Sequence, residues 1–240
     1  MPDPRYQIFI TQDGSPTLVW PGDGGVCEKM HHSNGALSES LYIYHECLRE
    51  ALTRHWPIRI LSLGLGLAYN ELITVAALHQ ASVRDWKIWS FEADEFLRAG
   101  FREWLNGAEN SLAPAYSAVL AGVAKNQQME PALLRDLTRV ALSDGRLELR
   151  GSFPEDGEDV GKCSCVYYDA FSKKMNPELW LEDTLYSNLN SRLAPACVLA
   201  TYARTGVLNR ALKRLGFRLL EKRGFSGKRE STLAIREEFG

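Results

Sequence analysis

Three features of this 240-residue chain combine residue types and spacings that can do chemistry. Asp169 closes the apolar run Cys163-Ser164-Cys165-Val166-Tyr167-Tyr168. A carboxylate at the end of a buried strand can orient an amine or take its proton. Gly64-Leu65-Gly66 follows the apolar run Ile58 to Leu63. Glycines let the backbone approach a ligand closely, and a following helix presents free N–H groups. Glu92 ends a second run, Trp86 to Phe91, where a carboxylate can accept hydrogen bonds from both hydroxyls of a ribose. Each feature also has a plainer role open to it: a tight turn, an acid at a helix start beside Asp94 and Glu95, or a loop cap.

One residue discriminates among ribose-bearing ligands. Pyrophosphate binders usually carry a third glycine three residues after the second, and here Tyr69 stands in its place. Bulk at that point disfavours a dinucleotide such as NAD and leaves room for a cofactor without phosphates, such as S-adenosylmethionine. Gly64, Leu65, Gly66 and Glu92 are therefore the candidate cofactor contacts.

These residues need a scaffold that brings strand ends together. Strand, glycine turn, helix (Leu67 to Leu78), strand and acid form the opening of a nucleotide-binding βαβ unit. Further strands are expected at Arg146 to Arg150, Cys163 to Tyr168 and Cys197 to Tyr202. Helices are expected from Glu95, at Pro131 to Leu142, Pro177 to Leu193 and Gly206 to Leu215. The stretch Arg102 to Asp144 has room for two or three helices. Phe217 to Lys222 and Ser231 to Arg236 are joined by a linker too short for a helical crossover, which makes them antiparallel neighbours. A mostly parallel seven-stranded sheet closed by such a hairpin is the doubly wound α/β arrangement of class I methyltransferases. We read residues 1–240 as a single domain, with a turn-rich N-terminal extension over 1–38 and an α/β core over 39–240. The extension reads as a small hairpin packed on the sheet or a lid over the site. A helix from about Glu39 to Arg54 follows, with Ser38 as its N-cap.

Composition excludes several classes. No apolar run approaches the roughly 20 residues of a membrane span, and Asp3, Arg5 and Gln7 interrupt the N-terminus, so a soluble, cytoplasmic protein is expected. Five cysteines give no disulfide framework, and Cys163 and Cys165 read as core packing. No metal site is expected. The net charge of −2 hides a division: Arg204 to Arg229 carries +8, leaving −10 elsewhere. Gly206 to Leu215 reads as an amphipathic helix with Arg210, Lys213 and Arg214 on its polar side, free for phosphate; Lys228 and Arg229 fall in the hairpin turn. That split suits a face meeting a polyanion, or equally a solvated face.

Tyr168-Asp169-Ala170-Phe171 with Asn176-Pro177-Glu178-Leu179-Trp180 resembles the Asp-Gly-Phe…Asn-Pro-x-x-Trp motif of MnmC-type methyltransferases. The similarity extends to Gly35-Ala36-Leu37-Ser38-Glu39, Leu63-Gly64-Leu65-Gly66-Leu67, Leu199-Ala200-Thr201-Tyr202, Leu215-Gly216-Phe217 and Gly224-Phe225-Ser226-Gly227-Lys228-Arg229-Glu230. Departures from the pattern fall at Ser62, for a glycine or acid; Ala170, for glycine; Met175, for lysine; and Gly151-Ser152, for a Gly-Asp that would contact adenine. The resemblance implies S-adenosylmethionine as cofactor, with Ser152 beside its adenine and Asp169 facing both cofactor and acceptor. It implies transfer to the amine of 5-aminomethyl-(2-thio)uridine at the tRNA wobble position. Phe171 would stack on the target base or, equally, fill an apolar core position, and Lys213, Arg214, Lys228 and Arg229 would hold the tRNA backbone. The flavin-dependent oxidase half of the fused bacterial proteins has no counterpart in these motifs, so a separate flavin-dependent or aminomethyl-forming enzyme would act upstream. Other readings are a methyltransferase for a small-molecule or protein nucleophile, a non-catalytic RNA-binding protein, and, less favoured, a nicotinamide oxidoreductase.

Overall fold

In the computed structural model, residues 6–20, 28–170, 176–221, 225 and 231–237 are described. The N-terminal segment forms a three-stranded antiparallel sheet of β1 (Gln7–Ile10), β2 (Pro16–Trp20) and β3 (Glu28–Lys29). A continuous helical segment follows: α1 (Ala36–Ser40), a π-helical stretch (Leu41–His45) and α2 (Glu46–Thr53). The expected Ser38 cap is corrected. The helix begins after Gly35, and Ser38 lies within the first turn, donating its hydroxyl to Asp13 Oδ2 at 2.6 Å.

The alternation expected from the apolar runs then appears: β4 (Ile58–Leu63), α3 (Tyr69–Gln80), β5 (Trp86–Phe91), α4 (Glu95–Leu105), α5 (Ala113–Asn126), α6 (Pro131–Ser143), β6 (Leu147–Arg150) and β7 (Cys163–Tyr168). Pro131 occupies the first turn of α6, where its missing N–H leaves no intrahelical bond unmade. The expected helix over Pro177 to Leu193 is shorter and divided. A 3₁₀ turn at Pro177–Trp180 precedes α7 (Glu182–Asn190). β8 (Leu193–Thr201), α8 (Gly206–Arg214), β9 (Arg218–Leu220) and β10 (Thr232–Arg236) complete the order.

The main sheet runs β6-β5-β4-β7-β8-β10-β9. Pairings from β6 to β8 are parallel, and β10 lies antiparallel between β8 and β9. The seven-stranded, mostly parallel α/β sheet with its C-terminal antiparallel strands is as expected. β4 and β7 are neighbours although the chain leaves β4 toward β5 on the opposite side. Their carboxyl ends therefore flank the topological switch point, where ligands bind in such sheets.

Both sheet faces are covered, so the central strands are apolar almost throughout; every residue of β7 is buried. Ile60, Cys165, Tyr167 and Val198 belong to the core shared with α1–α6. Leu61, Cys163, Val166 and Leu199 belong to the core shared with α7 and α8. Cys163 and Cys165 lie two apart yet belong to different cores, and the β7–β8 register shifts between them. The N-terminal sheet packs on α5 through β2, and the segment is tied to the starts of α4 and α3: Tyr6 Oη donates to Asp94 Oδ2 at 2.8 Å, and Tyr69 Oη to the Pro16 carbonyl at 2.7 Å. Among the described residues no helix is long and apolar enough to cross a membrane, and no three His, Cys, Asp or Glu side chains converge as a metal site.

Candidate active site

The loop after β4 has little conformational choice. Gly64 has φ +87° and donates its N–H to the Phe91 carbonyl at 2.8 Å, which joins the ends of β4 and β5. A Cβ there would lie 2.4 Å from the Asp169 carbonyl oxygen. The absent side chain is what lets the ends of β4 and β7 close on each other. Gly66, at φ +49°, donates its N–H to Glu92 Oε2 at 3.1 Å. The other Glu92 oxygen accepts from the Asp94 N–H at 3.1 Å, and Arg98 donates to the Glu92 main-chain carbonyl. Burial raises the Glu92 pKa. Its carboxyl thus sits against the glycine loop with lone pairs left over for hydroxyl donors.

A cavity of about 700 Å³ opens over these strand ends, within the ~300–1,000 Å³ range of small-molecule sites. Gly64, Leu65, Gly66, Glu92, Ser152 and Asp169 all line it. One wall comes from the segment Lys29 to Ser33, so the N-terminal sheet contributes directly to the site. Another part of the wall holds Phe153, whose ring meets Phe91 edge-on at 5.2 Å. Arg192 fixes that wall. Its Nε donates to the Gly157 carbonyl at 3.0 Å, and its guanidinium lies 5.2 Å from the Phe153 ring.

Charge distinguishes this cavity most sharply. Among its described lining residues, Glu28, Glu39, Glu92, Glu155, Asp169 and Glu178 face a single lysine, Lys29. Such a site favours cations and opposes a pyrophosphate.

Asp169 keeps part of its surface open to the cavity. Burial in the surrounding protein pushes its carboxyl up to about 7, and the charge of Glu39 adds to the effect. Asn70 opposes the shift by donating Nδ2 to Asp169 Oδ2 at 3.0 Å. The nearby Tyr44 hydroxyl opposes it too, although among the described residues that hydroxyl has no partner at hydrogen-bond geometry. Burial, then Asp169 itself, raises the Tyr44 pKa, so the phenol stays protonated. The Asn70 carbonyl oxygen is also buried and unpartnered. Among the described residues the Asn70 carbonyl oxygen is thus an unmet acceptor beside the carboxyl, with the Tyr44 hydroxyl close by, an arrangement that suits a polar ligand.

Sequence reasoning gave no role to Glu39 and Tyr202, which it met only inside family-like segments, and missed Tyr44 and Asn70; all four line the cavity. Tyr44 lies in the π-helical stretch, a distortion often found at functional sites. Glu39 accepts the His32 N–H at 2.7 Å, and Tyr202 donates to the Ala170 carbonyl at 3.0 Å.

Beneath the loop, Glu71 is almost wholly buried. Its Oε1 accepts from Ser62 at 2.9 Å and Ser90 at 2.7 Å. Burial pushes this carboxyl up to about 7 as well. Ser62, a departure from the family pattern, is thus one half of a link between β4 and α3.

The basic candidates lie elsewhere. No residue of α8 lines the cavity. Arg210 is paired with Glu182 at 2.7 Å, and Arg214 with Asp183 at 2.7 Å while stacking 3.9 Å from the Tyr186 ring. The expectation that these arginines are free is corrected: acids from α7 already meet them. Lys213 is exposed and, among the described residues, has no ion-pair partner. Phe171, Met175, Lys228 and Arg229 lie outside the described residues.

Residues 108–237 match the S-adenosyl-L-methionine-dependent methyltransferase family. The chain belongs to this family. The tRNA 5-methylaminomethyl-2-thiouridine biosynthesis bifunctional protein MnmC of Aromatoleum aromaticum is 28% identical over 96% of this methyltransferase, and that of Burkholderia multivorans is 27% identical over 95%. The chain spans about a third of the length of these curated relatives, 35% in both cases. MNMC2 from Aquifex aeolicus has a similar crystal structure, with a TM-score of 0.66 and 26% identity over 95% of this chain and 70% of that one. The residues of this methyltransferase fit the family's cofactor: the buried Glu92 carboxyl lies against the glycine loop, the bare Gly64 lets the ends of β4 and β7 close beneath the cavity, and the acidic lining suits a cationic ligand.

Proposed function

We propose that this chain is an S-adenosylmethionine-dependent N-methyltransferase acting on the amine of 5-aminomethyl-(2-thio)uridine at the tRNA wobble position. The names of the curated relatives support the substrate. The observation that carries the reading from this chain's own residues is geometric: the Asp169 carboxyl lines an acidic cavity, held by Asn70 and beside that residue's unpartnered carbonyl, and burial there raises it to about 7.

Glu92 would hold the ribose hydroxyls, the Gly64-Leu65-Gly66 backbone would pass close against the cofactor, and Ser152 would lie on the adenine side. Bound S-adenosylmethionine supplies an activated methyl group on a positively charged sulfur. Asp169 and the Asn70 carbonyl hold the acceptor amine, and Asp169 takes the proton that the nitrogen gives up on methylation. A carboxyl near 7 is matched to that work at neutral pH, where an ordinary carboxylate would be too weak a base. Fixing the amine in line with the methyl group contributes several kcal/mol on general grounds. The upstream step that this substrate requires is the one that installs the aminomethyl group.

The test is methyl transfer from labelled S-adenosylmethionine to tRNA carrying unmethylated 5-aminomethyl-(2-thio)uridine, followed by nucleoside analysis. The reading requires label on the methylaminomethyl nucleoside. Label appearing instead on a small molecule or protein, with none on tRNA, overturns the substrate assignment and leaves the enzyme class intact.

A further inference from the structure

Three aromatic rings from distant parts of the chain meet beside the cavity, and nothing in the chemistry above uses them. Phe225, from the linker between β9 and β10, lies 5.9 Å edge-on from the His32 ring and 6.0 Å from the Tyr42 ring. His32 belongs to the cavity wall, whereas Tyr42 lies on the outward side of the π-helical stretch and is 37% exposed. Phe225 itself is only half-buried. A phenylalanine serving only to anchor a loop would be expected to enter an apolar core. This one rests on a tyrosine and a histidine that both reach solvent. His32 Nδ1 accepts the Asn34 N–H at 3.2 Å, so a neutral ring carries its proton on Nε2 and keeps a donor to spare. Phe225 is also flanked in sequence by two basic pairs, Lys222-Arg223 and Lys228-Arg229. Aromatic rings interleaved with cations are the combination that binds unpaired nucleotides, by stacking on the base and attraction to the backbone.

We propose that Phe225, Tyr42 and His32 form a stacking platform at the cavity rim for an unpaired base of the RNA substrate. This rests on the tRNA reading above and adds to it the place where the RNA is gripped. The platform holds a base at the rim while the acidic cavity admits only the aminomethyl group. An RNA can in this way be bound by a protein whose site repels phosphate.

The experiment is binding of an anticodon stem-loop RNA with 2-aminopurine in the loop, followed by anisotropy and by quenching of the base fluorescence. Phe225→Ala and Tyr42→Ala are each expected to weaken RNA binding by about 10- to 100-fold and to relieve quenching. Phe225→Trp should restore both, and S-adenosylmethionine affinity should not change in any variant. Equal RNA affinity and quenching in wild type and variants overturns the platform and leaves the proposed function standing. Loss of S-adenosylmethionine affinity in parallel with RNA affinity overturns it too, by making the rings structural. A wild-type protein that binds no RNA overturns the proposed function and the platform together.

Discussion

Six carboxyls crowd a cavity walled by strand ends and buried helix turns, whereas the arginines of α8 stand in water opposite acids from α7. Both regions are conspicuous in the sequence, one as glycine and acid punctuation after apolar runs, the other as a basic stretch. Their physics differs. Around Asp169 and Glu71 the protein excludes enough water to move carboxyl pKa values to about 7. On α8 the charges remain hydrated, and such pairs contribute roughly 0–1 kcal/mol each. A charge pattern becomes chemistry where the fold removes solvent.

The largest effect should come from Gly64→Ala. The new Cβ meets the Asp169 carbonyl at 2.4 Å in a backbone conformation that side chains rarely adopt. The variant should lose about 2–5 kcal/mol in urea unfolding and lose S-adenosylmethionine binding by calorimetry. Parent-like stability and affinity would mean that the ends of β4 and β7 need not approach so closely.

Glu92→Ala removes charged acceptors for ribose hydroxyls, and S-adenosylmethionine affinity should fall about 10- to 100-fold. An unchanged dissociation constant would restrict Glu92 to holding the Gly66 and Asp94 N–H groups.

Asp169→Asn probes the cost of the buried carboxyl. Its pKa is higher in the folded protein than the ordinary 3.8, so its stabilising contribution is complete below about pH 4 and is lost as pH rises through about 7. The ligand-free variant should therefore melt above the parent at pH 8 and level with it near pH 4. Each kcal/mol corresponds to roughly 2–4 °C at this length. Equal melting temperatures at pH 8 would show the carboxyl to be freely hydrated.

Arg214→Ala should do least, changing stability by under about 1 kcal/mol and the salt slope of tRNA binding by less than about one unit. A full unit of slope would restore α8 as a phosphate contact despite its pairing with Asp183.

β4, β5 and β7 were legible to the residue, because buried parallel strands are continuous apolar runs with sharp ends. β8 starts at Leu193 rather than Cys197: Ala194-Pro195-Ala196 looks like a break and is where the β7–β8 register shifts, but Leu193 before it is already paired with Cys163. In the site, Gly64, Gly66, Glu92 and Asp169 stood out by position after a strand. Glu39, Tyr44 and Asn70 did not, because they come from helices whose apolar pattern marks no polar residue as special. The π-helical stretch that carries Tyr44 has no sequence signal we can name. The free arginines of α8 were an illusion of reading locally: their acids lie 28 and 31 residues upstream.

The central claim is that Asp169, as a near-neutral carboxyl, handles the proton of a tRNA amine. It is tested most directly by the pH dependence of methyl transfer to 5-aminomethyl-(2-thio)uridine tRNA at saturating S-adenosylmethionine. The wild-type rate should fall as pH drops through about 7, and Asp169→Asn should be slower by about 10²–10⁴-fold with that limb gone. A variant with the parent's rate and the parent's pH profile would contradict the account.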